Sequence, residues 1–375
     1  MRPETLRRQL VDELGIADER VRDAFLGVPR ELFVPTFSAA HGLEAVYRDD
    51  VIVTKTDEHG LPISSSSQPR IMAIMLERLA LARGMRVLEI GAGTGYNAAL
   101  LKTIVGPRGR VVSVDVDPEL ARSARSALRR GGFAVRVVCG DGRDGYPPGA
   151  PYDRVIATVS SPFVPRAWRD QLVDGGLLEL PLQLGRADVQ VVVTFRRDGD
   201  RLRSIAVVHG GFMPLRGLPR DASPALVAYA AGEPLAELCG PALAALSGTA
   251  RRRLLVAALR EPRRVRLGAA LPRWSLALWL ALELPEQRLV WSPRLGIGVA
   301  GRGGQGLALA DVAWSPGAPD TTRSLLAFGE SDAEEHLLRA IERWRTLGAP
   351  DAAALEFGVE FARDDSLISR SWRRG

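Results

Sequence analysis

Three acidic residues stand at or just after the ends of apolar runs, and their carboxylates could bind a nucleoside. Glu89 closes V-L-E, Asp115 closes V-V-S-V-D, and Asp141 follows V-V-C-G. The carboxyl ends of parallel strands meet at one edge of a sheet, where ligands bind. There all three carboxylates could accept hydrogen bonds from a ligand, and Glu89 could hold the following turn or reach a ligand amino group. Each acid alone is more often a cap or turn former, but three in this order favour a cofactor site.

A glycine-rich turn follows the first of these runs. Gly91, Gly93 and Gly95 allow a tight turn and bring backbone N–H groups close to a ligand. Their spacing is G-x-G-x-G, whereas NAD enzymes carry G-x-G-x-x-G. E-x-G-x-G-x-G after a strand resembles motif I of class I S-adenosylmethionine (SAM) methyltransferases. For SAM, this resemblance implies that Asp115 accepts both ribose hydroxyls and that Asp141 accepts the adenine amino group. The residues predicted to contact SAM are Glu89, Gly91, Ala92, Gly93, Gly95, Tyr96, Asp115, Val116, Asp141 and Gly142.

The elements that must position these residues alternate between strand-like and helical runs from 86 to 182. Such alternation predicts a parallel sheet with helices on both faces. We therefore predict a doubly wound, Rossmann-like α/β domain at 1–216. The pattern changes after about Gly217, where short helices, one of them over 224–236, mix with strand-like runs. Residues 217–375 are predicted to form a smaller accessory α+β domain of unknown role.

Several flanking motifs resemble protein-L-isoaspartate O-methyltransferases over about residues 5–217. They are V-P-R-E-L-F-V-P at 28–35, Y-R-D at 47–49, S-Q-P at 67–69 and G-F-M-P-L-R-G at 211–217. The resemblance implies methyl transfer from SAM to the carboxylate of an L-isoaspartyl or aspartyl residue in a protein or peptide. The resulting ester can collapse to a succinimide.

The resemblance also places the family's active-site serine at Ser67. Its hydroxyl could orient the substrate carboxylate or the cofactor, although Ser67 could equally cap the helix predicted over 68–81. Ser64, Ser65 and Ser66 could act in the same way, so the serine that acts is left open. The substrate carboxylate is ionised at neutral pH, so no general base is required.

Two segments depart from the family pattern where a peptide would bind. The loop over 51–67 is longer than usual, and A-T-V-S-S stands at 157–161. These departures suggest a changed substrate with an unchanged cofactor. Together with the C-terminal extension, they are similar to a divergent branch of the family that methylates aspartate in ribosomal peptide natural products. Repair of damaged protein and a dedicated peptide substrate both stay open.

Composition bounds the remaining possibilities. The net charge is +6, and 25% of the residues are charged. An RNA methyltransferase is disfavoured because S-S-P-F at 160–163 lacks the paired prolines typical of base methylation. A non-catalytic SAM-binding scaffold is the other alternative.

No apolar run approaches a membrane span, and the N-terminus lacks a signal-peptide core. We therefore expect a cytoplasmic protein without a membrane partner. The two cysteines lie far apart and predict no metal site.

Overall fold

The chain divides into two compact units. The first comprises residues 1–182, 190–218 and 356–371; the second comprises 183–189, 219–355 and 372–375. The computed structural model describes residues 2–58, 60, 62–184, 189–216, 224–230, 233–312, 320–361 and 366–373. No helix within those ranges is long and apolar enough to span a membrane.

The N-terminal part of the first unit is helical, with one hairpin. Its elements are α1 (Pro3–Leu14), α2 (Glu19–Gly27), α3 (Pro35–Val46), β1 (Ile52–Thr56), β2 (Pro62–Ser66) and α4 (Pro69–Arg78). The buried face of α1 carries Leu6, Leu10 and Leu14, as its apolar spacing requires. Asp18 caps α2 by accepting the backbone N–H of Arg20 at 2.8 Å. β1 and β2 pair antiparallel, with Ile52 opposite Ser66.

The doubly wound sheet predicted for the first unit is confirmed. In chain order its elements are β3 (Arg86–Ile90), α5 (Tyr96–Val105), β4 (Arg110–Asp115), α6 (Pro118–Arg130), β5 (Arg136–Cys139), β6 (Tyr152–Ala157), α7 (Arg166–Asp170), β7 (Leu172–Leu184), β8 (Val189–Asp198) and β9 (Arg201–His209). β3 pairs in parallel with β4 and β6, and β8 pairs antiparallel with β9. The chain runs outward from β3 to β4 and β5, then crosses back to β6. This reversal opens a crevice at the carboxyl end of β3.

The second unit is built on a seven-stranded sheet whose recorded strand pairs are antiparallel, ordered β10-β11-β13-β14-β15-β16-β12. Its elements are β10 (Ala225–Ala230), β11 (Glu233–Cys239), α8 (Ala242–Ala245), α9 (Gly248–Ala258), β12 (Arg263–Pro272), α10 (Arg273–Glu283), β13 (Leu289–Ser292), β14 (Gly296–Ala300), β15 (Leu307–Ala310), β16 (Thr321–Phe328) and α11 (Ala333–Thr346). The helix predicted over 224–236 is wrong, because Ala225 pairs with Cys239 and Leu226 with Leu238. A short apolar run does not by itself distinguish a helix from a strand.

The last two strands, β17 (Leu355–Phe361) and β18 (Ser366–Trp372), return to the first sheet. β17 pairs antiparallel with β9, with Gly358 opposite Arg203. The predicted division into 1–216 and 217–375 therefore needs correction, since residues 356–371 belong to the first unit. Pairing between strands 150 residues apart leaves no local signal in the sequence. The predicted boundary itself, at 217, lies outside the described residues.

Candidate active site

A cavity of about 560 Å³ opens at the carboxyl edge of the parallel strands, a size typical of small-molecule sites. Its walls include the ends of β3 and β4 and the turns that follow β5 and β6, as the doubly wound topology requires. The predicted residues that line it are Ser67, Gly91, Ala92, Gly93, Tyr96, Asp115, Val116 and Gly142. The predicted residues Glu89, Gly95 and Asp141 are not part of its lining.

The glycine turn after β3 adopts a shape that side chains would block. Gly91 has φ +96°, and a Cβ there would lie 2.8 Å from Oγ1 of Thr158. The same Thr158 hydroxyl donates to the Gly91 carbonyl oxygen at 2.8 Å. Gly95 has φ +86°, and a Cβ there would lie 3.3 Å from Ala124. Glycine is therefore favoured at these positions, because the positive φ and the closeness of Thr158 and of α6 leave little room for a side chain.

Asp115, the last residue of β4, presents its carboxylate to the cavity. One oxygen, Oδ2, accepts the backbone N–H of Gly93 at 2.9 Å. The other, Oδ1, accepts the N–H of Asp117 at 3.0 Å and is 3.3 Å from Nη2 of Arg216. Four acceptor positions are available on a carboxylate, so the side chain is nearly saturated. Because the carboxylate is buried and held in a fixed position, it is suited to accept hydrogen bonds from a bound ligand.

Asp117 has the helix-starting role that its position before Pro118 predicts. Its Oδ1 accepts the N–H of Glu119 at 2.9 Å and caps α6. Its Oδ2 pairs with Lys55 and Arg216, both at 3.0 Å. Although burial opposes it, hydrogen bonds from these two cations hold the pKa of Asp117 well below its ordinary value. Asp117 therefore anchors two cations beside the cavity.

Sequence reasoning missed Arg216 and Lys55. Arg216 lies about 100 positions from its partners and is the sixth letter of G-F-M-P-L-R-G, a motif noted only for family resemblance. Lys55 lies on β1, in the stretch interpreted as an irregular loop. A cation so far along the chain from its acids leaves no spacing signal.

Glu89 lies inside the protein. Its carboxylate is fully buried, accepts the side-chain N–H of Asn97 at 2.8 Å and accepts the hydroxyl of Ser113. Burial raises the pKa of Glu89 to about 7, against the lowering effect of these two hydrogen bonds. Of its two predicted roles, holding the turn fits this placement: Glu89 joins the first turn of α5 to β4.

Asp141 pairs with its own neighbour. Its carboxylate caps a short helical turn by accepting the N–H of Arg143 at 2.9 Å, and it forms an ion pair with the Arg143 guanidinium. The adjacent Gly142 does line the cavity, where a Cβ would lie 2.7 Å from Ile90. The predicted contact of Asp141 with an adenine amino group therefore stays a prediction that requires the Arg143 pair to open.

Four consecutive serines, Ser64, Ser65, Ser66 and Ser67, form one wall of the cavity, and the structure distinguishes them. The buried Ser64 hydroxyl accepts a hydrogen bond from Thr54 at 3.1 Å, and the buried Ser66 hydroxyl accepts one from Arg30 at 3.4 Å. The half-buried Ser65 and Ser67 hydroxyls make no hydrogen bond to any residue that the structure describes.

The helix-cap role considered for Ser67 is wrong. Gln68 occupies the N-cap position of α4, and it makes no side-chain capping bond. Asp49 takes over that function by accepting the N–H of Arg70 at 2.8 Å. Ser65 and Ser67 are therefore the serines whose hydroxyls are available to a ligand.

The segment over 210–216, named here the strap, forms the opposite wall. Gln190 holds it through both backbone groups of Phe212, at 2.7 Å and 3.1 Å. The backbone of Ser160 holds the strap further along. Its carbonyl oxygen accepts the N–H of Leu215, and its N–H donates to the carbonyl oxygen of Met213, both at 2.8 Å. Arg216 fixes its end to Asp115 and Asp117. The strap therefore extends along the cavity from the end of β9 to the end of β4.

These residues fit a nucleoside cofactor. The backbone at Gly91, Gly93 and Gly142 lines the cavity without a side chain, and Asp115 offers a fixed carboxylate. Val116, Leu120 and Leu215 supply an apolar surface beside it. A few placed polar groups in an apolar cleft are typical of cofactor sites.

Comparisons with known proteins found similar sequences and similar structures. Residues 1–218 match the family model of protein-L-isoaspartate(D-aspartate) O-methyltransferase. The protein-L-isoaspartate O-methyltransferase of Thermotoga maritima is 40% identical over 189 residues, which is 50% of this chain and 58% of the relative. That of Roseiflexus castenholzii is 39% identical over 218 residues, which is 56% of this chain and 92% of the relative.

A solved structure of a protein-L-isoaspartate O-methyltransferase is also similar. It is 28% identical with a TM-score of 0.55, and the match covers 97% of this chain and 99% of that one. The likeness therefore extends well beyond residue 218. Because a protein of that name shares an extension of this length, the extension by itself does not indicate a changed substrate.

Proposed function

Because the chain belongs to the protein-L-isoaspartate(D-aspartate) O-methyltransferase family and is a SAM-dependent methyltransferase, we propose that it methylates the side-chain carboxylate of an L-isoaspartyl or aspartyl residue. The substrate is a protein or peptide that carries such a residue. The observation that carries this proposal is one cavity with two kinds of wall: Asp115 and the glycine turn on one side, and available serine hydroxyls on another.

SAM supplies an electrophilic methyl group on a positively charged sulfur. The substrate carboxylate is already ionised at neutral pH, so the protein has to position it and need not deprotonate it. In this proposal Asp115 holds the ribose hydroxyls, and the N–H groups of the glycine turn face the amino-acid tail. Ser67, or its neighbour Ser65, donates a hydrogen bond to the carboxylate and directs one oxygen at the methyl carbon.

The products are a neutral methyl ester and S-adenosylhomocysteine. The ester carbonyl can then be attacked by the nitrogen of the following peptide bond, with loss of methanol and formation of a succinimide. That ring closure needs no further group from the protein. Fixed geometry therefore accounts for the catalysis proposed here.

The experiment uses the full chain with methyl-labelled SAM and three peptides identical except for isoaspartate, aspartate or asparagine at one position. We expect label on the isoaspartyl or the aspartyl peptide, released as methanol in mild base, and none on the asparaginyl peptide. Whichever carboxylate peptide is labelled distinguishes repair of damaged protein from action on a dedicated peptide. Base-stable label, or label on added RNA alone, would reject the proposal.

Two alternatives are tested by the same assay. RNA methylation would give base-stable label on RNA with strong salt dependence, and a non-catalytic scaffold would bind S-adenosylhomocysteine without labelling any substrate. The peptide partner and the cytoplasmic location remain predictions.

A further inference from the structure

Arg30 is fully buried and holds together two segments of the cavity wall. Its guanidinium donates to the carbonyl oxygens of Val46 at 3.0 Å and Arg48 at 3.1 Å. It also donates to the carbonyls of Asp50 at 3.0 Å and Ser67 at 3.1 Å. The segment over 46–50 is thereby fixed to the serine wall.

All of these partners are neutral, which is unusual for a buried arginine. Arg30 forms no ion pair with any acidic residue in the described part of the chain. Asp49 and Asp50 attract the Arg30 charge from nearby without forming an ion pair with it. Asp49 is paired with Arg70, whose Nε lies 2.9 Å from its Oδ2, and Asp50 is exposed. Burial lowers the pKa of Arg30, but arginine stays protonated in proteins. Buried charges without a partner are costly and rarely retained.

The charge lies directly behind the cavity wall. Ser66 and Ser67, which Arg30 contacts, both line the cavity. So does Tyr96, whose ring centre is 6.0 Å from the guanidinium carbon. The positive potential of a buried group is weakly screened by salt. An anion placed against the serine wall is therefore attracted at a range that the Ser67 hydroxyl alone does not reach.

We propose that Arg30 is a positioning residue that fixes Ser67 and, through its unpaired buried charge, makes the cavity select a carboxylate over a neutral amide. This rests on the proposed function, since the selected carboxylate is that of the isoaspartyl or aspartyl side chain. The hydrogen bonds of Arg30 and its charge have separable consequences. Loss of the hydrogen bonds to the cavity wall would weaken the binding of all peptides alike, whereas loss of the charge would weaken only the binding of the anionic peptide.

The test measures binding of the isoaspartyl and aspartyl peptides, each beside its amide counterpart (isoasparaginyl or asparaginyl), to the full chain with S-adenosylhomocysteine, in wild type, R30Q and R30K. We expect R30Q to reduce the carboxylate preference about tenfold, as for a unit charge at roughly 10 Å within a protein. R30K keeps the charge but offers fewer donors, so it should keep the preference and lower kcat. The Kd of S-adenosylhomocysteine should change less than threefold in both.

R70Q is the matched control, because Arg70 lines the same cavity but is exposed and paired with Asp49. Loss of the preference in R70Q but not in R30Q would overturn the proposal. So would equal weakening of both peptides in R30Q. Should R30Q fail to fold, the wild type decides: the preference should persist from low to high salt, and its disappearance at high salt would assign it to an exposed cation. These binding readouts do not depend on methyl transfer, whose absence would reject the proposed function alone.

Discussion

The Asp115 carboxylate is the single group on which cofactor binding should depend most. Replacing Asp115 with asparagine removes the charge and turns an amide NH₂ toward one of the two backbone N–H groups, Gly93 or Asp117, that the carboxylate now accepts. Hydrogen bonds to a charged group contribute about 1.5–3 kcal/mol. At about 1.4 kcal/mol per factor of ten, the Kd of S-adenosylhomocysteine should rise roughly 10- to 150-fold.

For R216A we expect the opposite effect on the Kd of S-adenosylhomocysteine, so this variant is the control for D115N. Two ribose hydroxyls need two acceptor positions, whereas three of the four on Asp115 are already occupied. Arg216 is the partner to be displaced, because its contact is the longest at 3.3 Å and its side chain is one-third exposed. Exposed ion pairs contribute about 0–1 kcal/mol, so R216A should leave the Kd unchanged or lower it up to about fivefold.

Isothermal titration of S-adenosylhomocysteine into the full chain measures both effects, and thermal unfolding without ligand reports whether D115N has loosened the turn. An unchanged Kd in D115N would show that the ribose is not held at Asp115. A tenfold weaker Kd in R216A would show that Arg216 binds the cofactor and does not compete with it.

Two further predictions concern Glu89 and the serine wall. Burial raises the pKa of Glu89 to about 7 from 4.5, so between these pH values the folded protein binds more protons than the unfolded chain. The free energy of unfolding should therefore fall by up to about 3 kcal/mol as the pH rises through this window. Denaturant unfolding at pH 5 and pH 7.5 should show this fall in the wild type and not in E89Q. S67A should lower kcat at least tenfold with little change in the Kd of S-adenosylhomocysteine. S66A removes a hydroxyl that already accepts a hydrogen bond from Arg30, so it should lower kcat less. A larger fall of kcat in S65A than in S67A would show that Ser65 orients the carboxylate.

The sequence predicted the parts of the site that are local in the chain. The strand, glycine turn and helix over 86–105 follow directly from an apolar run, three glycines and a second apolar run. The start of α6 at Pro118, with Asp117 as its N-cap, follows from Asp-Pro. Each of these signals is contained within a few residues. Local patterns of this kind predict structure without knowledge of the contacts made by distant parts of the chain.

The missed parts are of two kinds. The hairpin of β1 and β2 is local, and its signal was present: V-I-V-T at 51–54 is rich in β-branched residues, and D-E-H-G at 57–60 is a run typical of turns. The other missed parts depend on distant partners. β17 becomes a strand of the first sheet only because β9 offers it an edge. A truncation at 217, reasonable from the sequence, would therefore remove β17 and β18 from the sheet that carries the cavity.

The three acids at the strand ends show how the position of a residue relative to the end of its strand decides its role. Glu89 lies one residue before the end of β3 and is enclosed, Asp115 is the last residue of β4 and faces the cavity, and Asp141 lies two residues beyond β5 and turns to Arg143. A shift of one residue along a strand turns the side chain to the other face, and a shift of two residues keeps the face but moves the side chain along the strand. Strand ends are the least certain feature of any sequence-based assignment. The same pattern of acids therefore predicts a binding edge well, but it does not predict which of them the ligand meets.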